Sequence, residues 1–169
     1  MKAIQRERMT AVRDDGIVVF LIGMRVNSWW KIHRWLPVTR AMPRMLKELM
    51  QNPSSGLLGA TFALTSDGPL IVQYWESTDK LLAYAGDRSA EHYPAWREFN
   101  RKIGTSGDVG IWHETYSVPR GNFESVYVNM PAFGLGKVGR LEPAVGHRAR
   151  ARTRLAGAVS APAAIAAAE

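Results

Sequence analysis

The apolar positions of the chain fall into short runs whose spacing switches between the strand and helix periods. Gly16 opens IVVFLIGMRV, an unbroken apolar run heavy in Val and Ile, the pattern of a strand buried on both faces. Asn27-Ser28 ends that run, and either residue is placed to cap a following helix. Over 29–51, Trp35, Val38, Met42, Met45, Leu46 and Leu49 recur at three- and four-residue spacing. Lys31, Arg34, Arg40, Arg44 and Lys47 fall mostly off that stripe, which predicts an amphipathic helix. Pro37 and Pro43 interrupt it, so two helical pieces are expected rather than one rod.

After Asn52-Pro-Ser-Ser-Gly56, the runs 57–64 and 69–75 flank Asp67-Gly68, a hairpin signal. Ser77 offers an N-cap to a helix over 80–85. A second helical stretch over 90–103 places Trp96, Phe99 and Ile103 on one side, with Pro94 near its start, where the missing N–H matters least. A strand over 107–116, a turn at Pro119-Arg-Gly-Asn122 and a last strand over 123–129 close the pattern.

This order is β-α-β-β-α-β with an extra C-terminal strand, the ferredoxin-like α+β arrangement in which both helices cover one face of an antiparallel sheet. The strands are apolar on both faces, so the face without helices also needs cover. Two copies meeting face to face would close a dimeric α+β barrel around a cavity, which predicts a homodimer. Residues 1–15 read as a polar lead-in, 16–131 as the barrel domain and 132–169 as a tail. In that tail 133–139 is Gly-rich, 148–154 alternates Ala with Arg and 156–168 is almost all Ala. This is the composition of a flexible segment, and the sharper alternative is a basic arm touching a partner subunit or an anionic surface.

Composition narrows the chemistry. A length of 169 residues with 46% apolar and 9% aromatic residues suits one folded domain. The absence of cysteine excludes disulfides, thiolate metal sites and a cysteine nucleophile. Of the net charge of +7, the residues after Gly136 hold six basic against two acidic groups. The remaining 16 basic and 13 acidic groups leave the body close to balanced, which argues against a specific nucleic-acid partner. The first fifteen residues lack a signal-peptide pattern, and the apolar run 17–24 is too short to span a bilayer. The expected location is the cytoplasm, with no membrane span. There is no GxGxxG, phosphate loop or HExxH.

The densest chemistry lies in 107–116. Strand alternation places Ile111, His113 and Thr115 on one face and Trp112, Glu114 and Tyr116 on the other. Each of these residues also has an ordinary reading, the aromatic ones as core or interface and the polar ones as hydrogen-bonded. His33 reads as surface, and His147, in the tail, is given no role.

Several stretches resemble a known family. Gln73-Tyr-Trp-Glu-Ser77 followed by a helix with His92 resembles the antibiotic-biosynthesis-monooxygenase superfamily of dimeric α+β barrels. GIVVFLIGMRVN, AMPRML, VQYW, PAWREFNRKIG and SGDVGIWHETY are similar to a bacterial monooxygenase-like branch, itself similar to a fungal monooxygenase of meroterpenoid biosynthesis. The resemblance covers about residues 10–136. It implies one of two chemistries. Some members oxidise electron-rich aromatic or polyketide molecules with dioxygen and no cofactor. Others hold haem through a histidine on the second helix, as in haem-degrading monooxygenases and aldoxime dehydratases.

On that resemblance the expected activity is cofactor-free oxygenation of a small, apolar, electron-rich molecule. His113 or His92 would be the base and Tyr116 a hydrogen-bond donor, with Trp75, Tyr74, Trp96, Trp112 and Glu114 around the cavity. The alternatives are a haem protein with His92 as iron ligand, and a small-molecule-binding dimer without catalysis.

Overall fold

The computed structural model describes residues 3–156. Its elements run β1 (Met9–Val12), β2 (Ile17–Val26), α1 (Ile32–Gln51), β3 (Leu57–Thr65), β4 (Gly68–Trp75), α2 (Thr78–Gly86), α3 (His92–Lys102), β5 (Val109–Val118), β6 (Arg140–Pro143) and α4 (Ala151–Ala156). They fall into two compact units, one of Ile17–Ser117 and one of the residues up to Gly16 together with those from Val118 onward.

The Ile17–Ser117 unit is a four-stranded sheet of order β3-β4-β2-β5. With α1 between β2 and β3, and α2 and α3 between β4 and β5, this is the ferredoxin-like topology. The β3–β4 hairpin turns at Gly68, whose φ of +142° and close approach to the Met24 carbonyl leave no room for a side chain. On the helix-covered face the core forms two clusters. Val18, Leu49, Trp75 and Leu81 make the first, joined by Phe20, Leu57 and Tyr84. Met24, Val26, Ile103 and Val109 make the second, joined by Trp35, Val38, Phe99 and Ile111.

Helix α1 is one continuous helix of 20 residues with both Pro37 and Pro43 inside it, not two pieces. Each proline removes one backbone hydrogen bond. Trp35 and Val38 are held on the second cluster and Leu49 on the first, and this packing at both ends keeps the helix whole. Its N-cap is Lys31 rather than Asn27 or Ser28. Those two are engaged elsewhere: Asn27 Nδ2 donates to the Gly107 carbonyl and Ser28 Oγ to Asp108. The Ser77 cap is as expected, its Oγ accepting from the Lys80 N–H at 3.2 Å.

The other unit departs furthest from the sequence pattern. The extra C-terminal strand exists, but at Arg140–Pro143, where it pairs antiparallel with Met9–Val12 in a separate two-stranded sheet. Residues 123–129 form no ladder. Tyr127 makes an isolated bridge to Met9, and Ser125 Oγ accepts the Ala11 N–H that a strand carbonyl would otherwise take. The lead-in is therefore structured through Met9, Thr10 and Ala11, all buried. The Gly-rich stretch is packed, since a Cβ on Gly136 would stand 3.0 Å from Leu141 and 3.1 Å from Tyr127. A tail composition hides this because small residues also serve close backbone packing. The Ala-rich 157–169 lies outside the described residues.

Candidate active site

Strand β5 alternates as its sequence predicts. Val109 and Ile111 enter the second core cluster. His113 follows on the same face, its ring centroid 5.5 Å from that of Phe20. Phe20 belongs to the edge of the first cluster, so His113 stands where the two clusters part. The helix face of β2 records the same break. Val18, Met24 and Val26 are buried, whereas Phe20 and Ile22 between them are only half-buried. On β4 the positions beside them, Ile71 and Gln73, are buried, so the opening lies toward β5. On α1, Met42, Met45 and Leu46 lie between its two anchor points and are half-buried. His113 is thus an exposed imidazole beside the half-buried Phe20, at the break between the two apolar clusters. Apolar neighbours suit a flat apolar molecule, and an imidazole is the side chain that most readily moves protons near neutral pH.

The opposite face of the sheet carries a different group. The Trp112 indole lies over Gly23, and register places Leu70, Val72 and Tyr74 on that same face. Glu114 and Tyr116 alternate with His113 and so belong there too. The Tyr116 hydroxyl donates to Glu114 Oε2 at 2.6 Å, and that carboxylate pushes the phenol above its usual range. His113 and Tyr116 therefore occupy opposite faces of one strand. The expected pairing of His113 as base with Tyr116 as donor on one substrate is not available within a chain.

His92 opens α3 and sits among helices. Its Nε2 donates to the Ala85 carbonyl at 3.0 Å, and its ring lies 4.8 Å from Tyr84, which in turn lies 5.9 Å from Trp75. Burial and the neighbouring Glu48 push the Tyr84 phenol well above its usual range, and its hydroxyl donates to that carboxylate. The other imidazole nitrogen, Nδ1, is enclosed with no partner. An axial ligand must turn a free ring nitrogen toward open space, and His92 offers neither of its two. These residues do not fit a haem held by His92. Among the described residues no group of His, Asp and Glu is gathered to hold a metal ion.

The remaining aromatic candidates divide between core and surface. Trp75 is wholly buried, its Nε1 donating to Gln73 Oε1 at 2.9 Å, so it is a core residue and not a cavity wall. Trp96 is 52% exposed and stacks on Phe99 along α3. Two partners escaped the sequence reading. Phe20 shares the parity of Val18 and Met24 in β2, and that alternation is a signal that could have placed it beside His113. Asp108 is the other. It is buried at the start of β5 and accepts from Ser28 Oγ at 2.9 Å and Lys31 Nζ at 2.7 Å, tying the entry of α1 to the strand that carries His113.

Residues 17–135 match the family model described as Monooxygenase af470-like. No curated protein matches the chain. Among solved structures, an aldoxime dehydratase (OxdRE) in complex with butyraldoxime is 16% identical with a TM-score of 0.56, covering 81% of this chain and 38% of its own. SnoaB, a cofactor-independent oxygenase from Streptomyces nogalater, is 11% identical with a TM-score of 0.44, over 62% of this chain and 95% of its own. A dimeric ferredoxin-like protein from Jannaschia sp. CCS1 is 18% identical with a TM-score of 0.45, over 61% and 100% respectively. At these identities the likeness is one of fold. No helix among the described residues is long and apolar enough to cross a membrane.

Proposed function

The chain belongs to the Monooxygenase af470-like family, and from that premise we propose that it is an oxygenase acting on a small, apolar, electron-rich molecule, with His113 as base. The observation that carries this reading is the place of His113, against Phe20 at the gap between the two core clusters. A base needs access to its substrate and a fixed position, and the pairing of β5, the edge strand, with β2 supplies the second.

The chemistry needs a substrate with an acidified methylene, such as one between aromatic rings and conjugated to a carbonyl. His113 takes a proton from that carbon, and the carbanion gives one electron to dioxygen. The two radicals then join as a peroxide on the same carbon. Loss of the second C–H proton with cleavage of the O–O bond leaves a carbonyl, and the departing hydroxide is protonated to water. One oxygen atom ends in the product and the other in water. The methylene supplies all four electrons, so no further reductant or cofactor is consumed.

The face bearing Val19, Leu21, Val72 and Trp112 is the surface on which a second copy would pair, giving the dimeric barrel. Apart from the paired Glu114 and Tyr116 it is largely apolar, with Trp112 39% exposed. The site at His113 lies on the other side of the sheet and stays open in such a dimer.

The test is oxygen consumption by the purified protein with anthrone as probe. Accelerated uptake with one anthraquinone formed per dioxygen is the expected result. Saturable quenching of tryptophan fluorescence by anthrone without any acceleration would overturn the catalytic reading in favour of a binding protein.

A further inference from the structure

A second concave site is formed wholly within the unit built from the two ends of the chain. It encloses about 210 Å³ and is lined by Arg13, Arg120, Phe123, Glu124, His147 and Arg154 among others. Its acidic groups are already taken. Glu124 Oε2 accepts from Arg154 Nε at 3.0 Å and Nη2 at 2.6 Å, and the Arg154 side chain is only 6% exposed. Asp14, also on the wall, pairs with Arg140 at 2.7 Å. Arg148 is likewise neutralised, by Glu142 at 2.8 Å.

Two guanidinium groups on the wall, Arg13 and Arg120, form no ion pair with a carboxylate, and both feel the Asp14 charge only at longer range. Arg13 Nη1 donates to the Val138 carbonyl at 2.8 Å, but its Nε is enclosed and has no acceptor at all. Arg120 makes no hydrogen bond or ion pair among the described residues, and neither does His147. A guanidinium without an ion-paired carboxylate is satisfied best by an oxyanion that takes two of its donors at once. The charge left over in the cavity is positive, which excludes a cation as occupant. Beside these donors Phe123 and Ala11 add an apolar wall.

We propose that this cavity binds a small anion carrying a carboxylate or phosphate group, gripped between Arg13 and Arg120. The cavity shares no residue with the site at His113, so it stands or falls independently of the oxygenase reading.

The experiment is isothermal titration calorimetry of the full chain with inorganic phosphate in one arm and butanoate in the other, at fixed ionic strength in chloride. Saturable heat in at least one arm is expected, and the arm that gives it identifies the oxyanion. Arg120→Gln, which removes no hydrogen bond or ion pair among the described residues, should weaken that binding about tenfold or more. Arg13→Gln should do the same, with circular dichroism confirming its fold; if it unfolds, Arg120→Gln alone decides. No saturable heat in either arm, or binding unchanged in Arg120→Gln, would overturn the proposal.

Discussion

The indole of Trp112 lies over Gly23, its Nε1 and Cε2 each 2.7 Å from where a Cβ on that glycine would stand. The glycine interrupts an otherwise branched apolar strand because the neighbouring ring needs its space. Gly23→Val should displace the ring and destabilise the fold by about 1–3 kcal/mol. A lower urea midpoint together with a shifted tryptophan emission checks this. An unchanged midpoint would mean that the ring relaxes freely.

The same surface bears on assembly. If two copies pair through it, light scattering gives twice the mass of one chain. Trp112→Glu, which puts a charge at the centre of the apolar face, should shift the protein toward monomer, because a buried unpaired charge is strongly unfavourable. A wild-type protein that is a well-folded monomer at all concentrations contradicts the face-to-face arrangement.

Asp108 should make stability depend on acid. The hydrogen bond from Lys31 is the main reason its carboxyl sits below the ordinary range, with Ser28 and Arg34 adding to it against the opposing effect of burial. Folding therefore favours the charged form, and the unfolded chain takes up the proton first. The contribution is fully present above the unfolded pKa of about 3.9 and is lost as pH falls through the lower folded value. Wild type should be more stable than Asp108→Asn at neutral pH, with the difference shrinking below about pH 4. Urea midpoints of both proteins across that range test it, and a constant difference is the contrary result.

Pro43 is exposed inside a continuous helix, so Pro43→Ala should stabilise the protein. Restoring the N–H to the Thr39 carbonyl is worth up to about 3 kcal/mol, less about 1 kcal/mol for the freer unfolded chain. Thermal unfolding gives the sign directly, and a lower melting temperature would show that the proline conformation is itself used in packing.

The ferredoxin-like unit was legible because its elements announce themselves locally: the Val- and Ile-rich run of β2, the Asp67-Gly68 turn, the Ser77 cap. The alternation in 107–116 likewise gave the correct faces for His113 and Trp112. What stayed hidden depended on distant partners. The prolines of α1 argue for a break, and only the anchoring of Val38 and Leu49 on separate clusters explains its continuity. Met9–Val12 is a strand because Arg140–Pro143 lies beside it, and those stretches are more than a hundred residues apart. Gly136 and Gly139 looked like flexibility and are close contacts. The family resemblance had suggested His92 as a haem ligand, but the Ala85 carbonyl and the Tyr84 ring that occupy it cannot be inferred from the sequence. Arg148 and Arg154 on the wall of the cavity in the terminal unit were read as part of a flexible tail, because Glu124, which pairs with Arg154, lies thirty residues before it in sequence.

The most direct measurement is the second-order rate constant for anthrone oxidation, kcat/KM, in wild type, His113→Ala and His92→Ala side by side. With His113 as base, His113→Ala should lose about 10²–10⁴-fold, the usual range for removing a general base, while His92→Ala stays within about tenfold of wild type. Turnover intact in His113→Ala, or a loss of that size in His92→Ala instead, would contradict the assignment of the site.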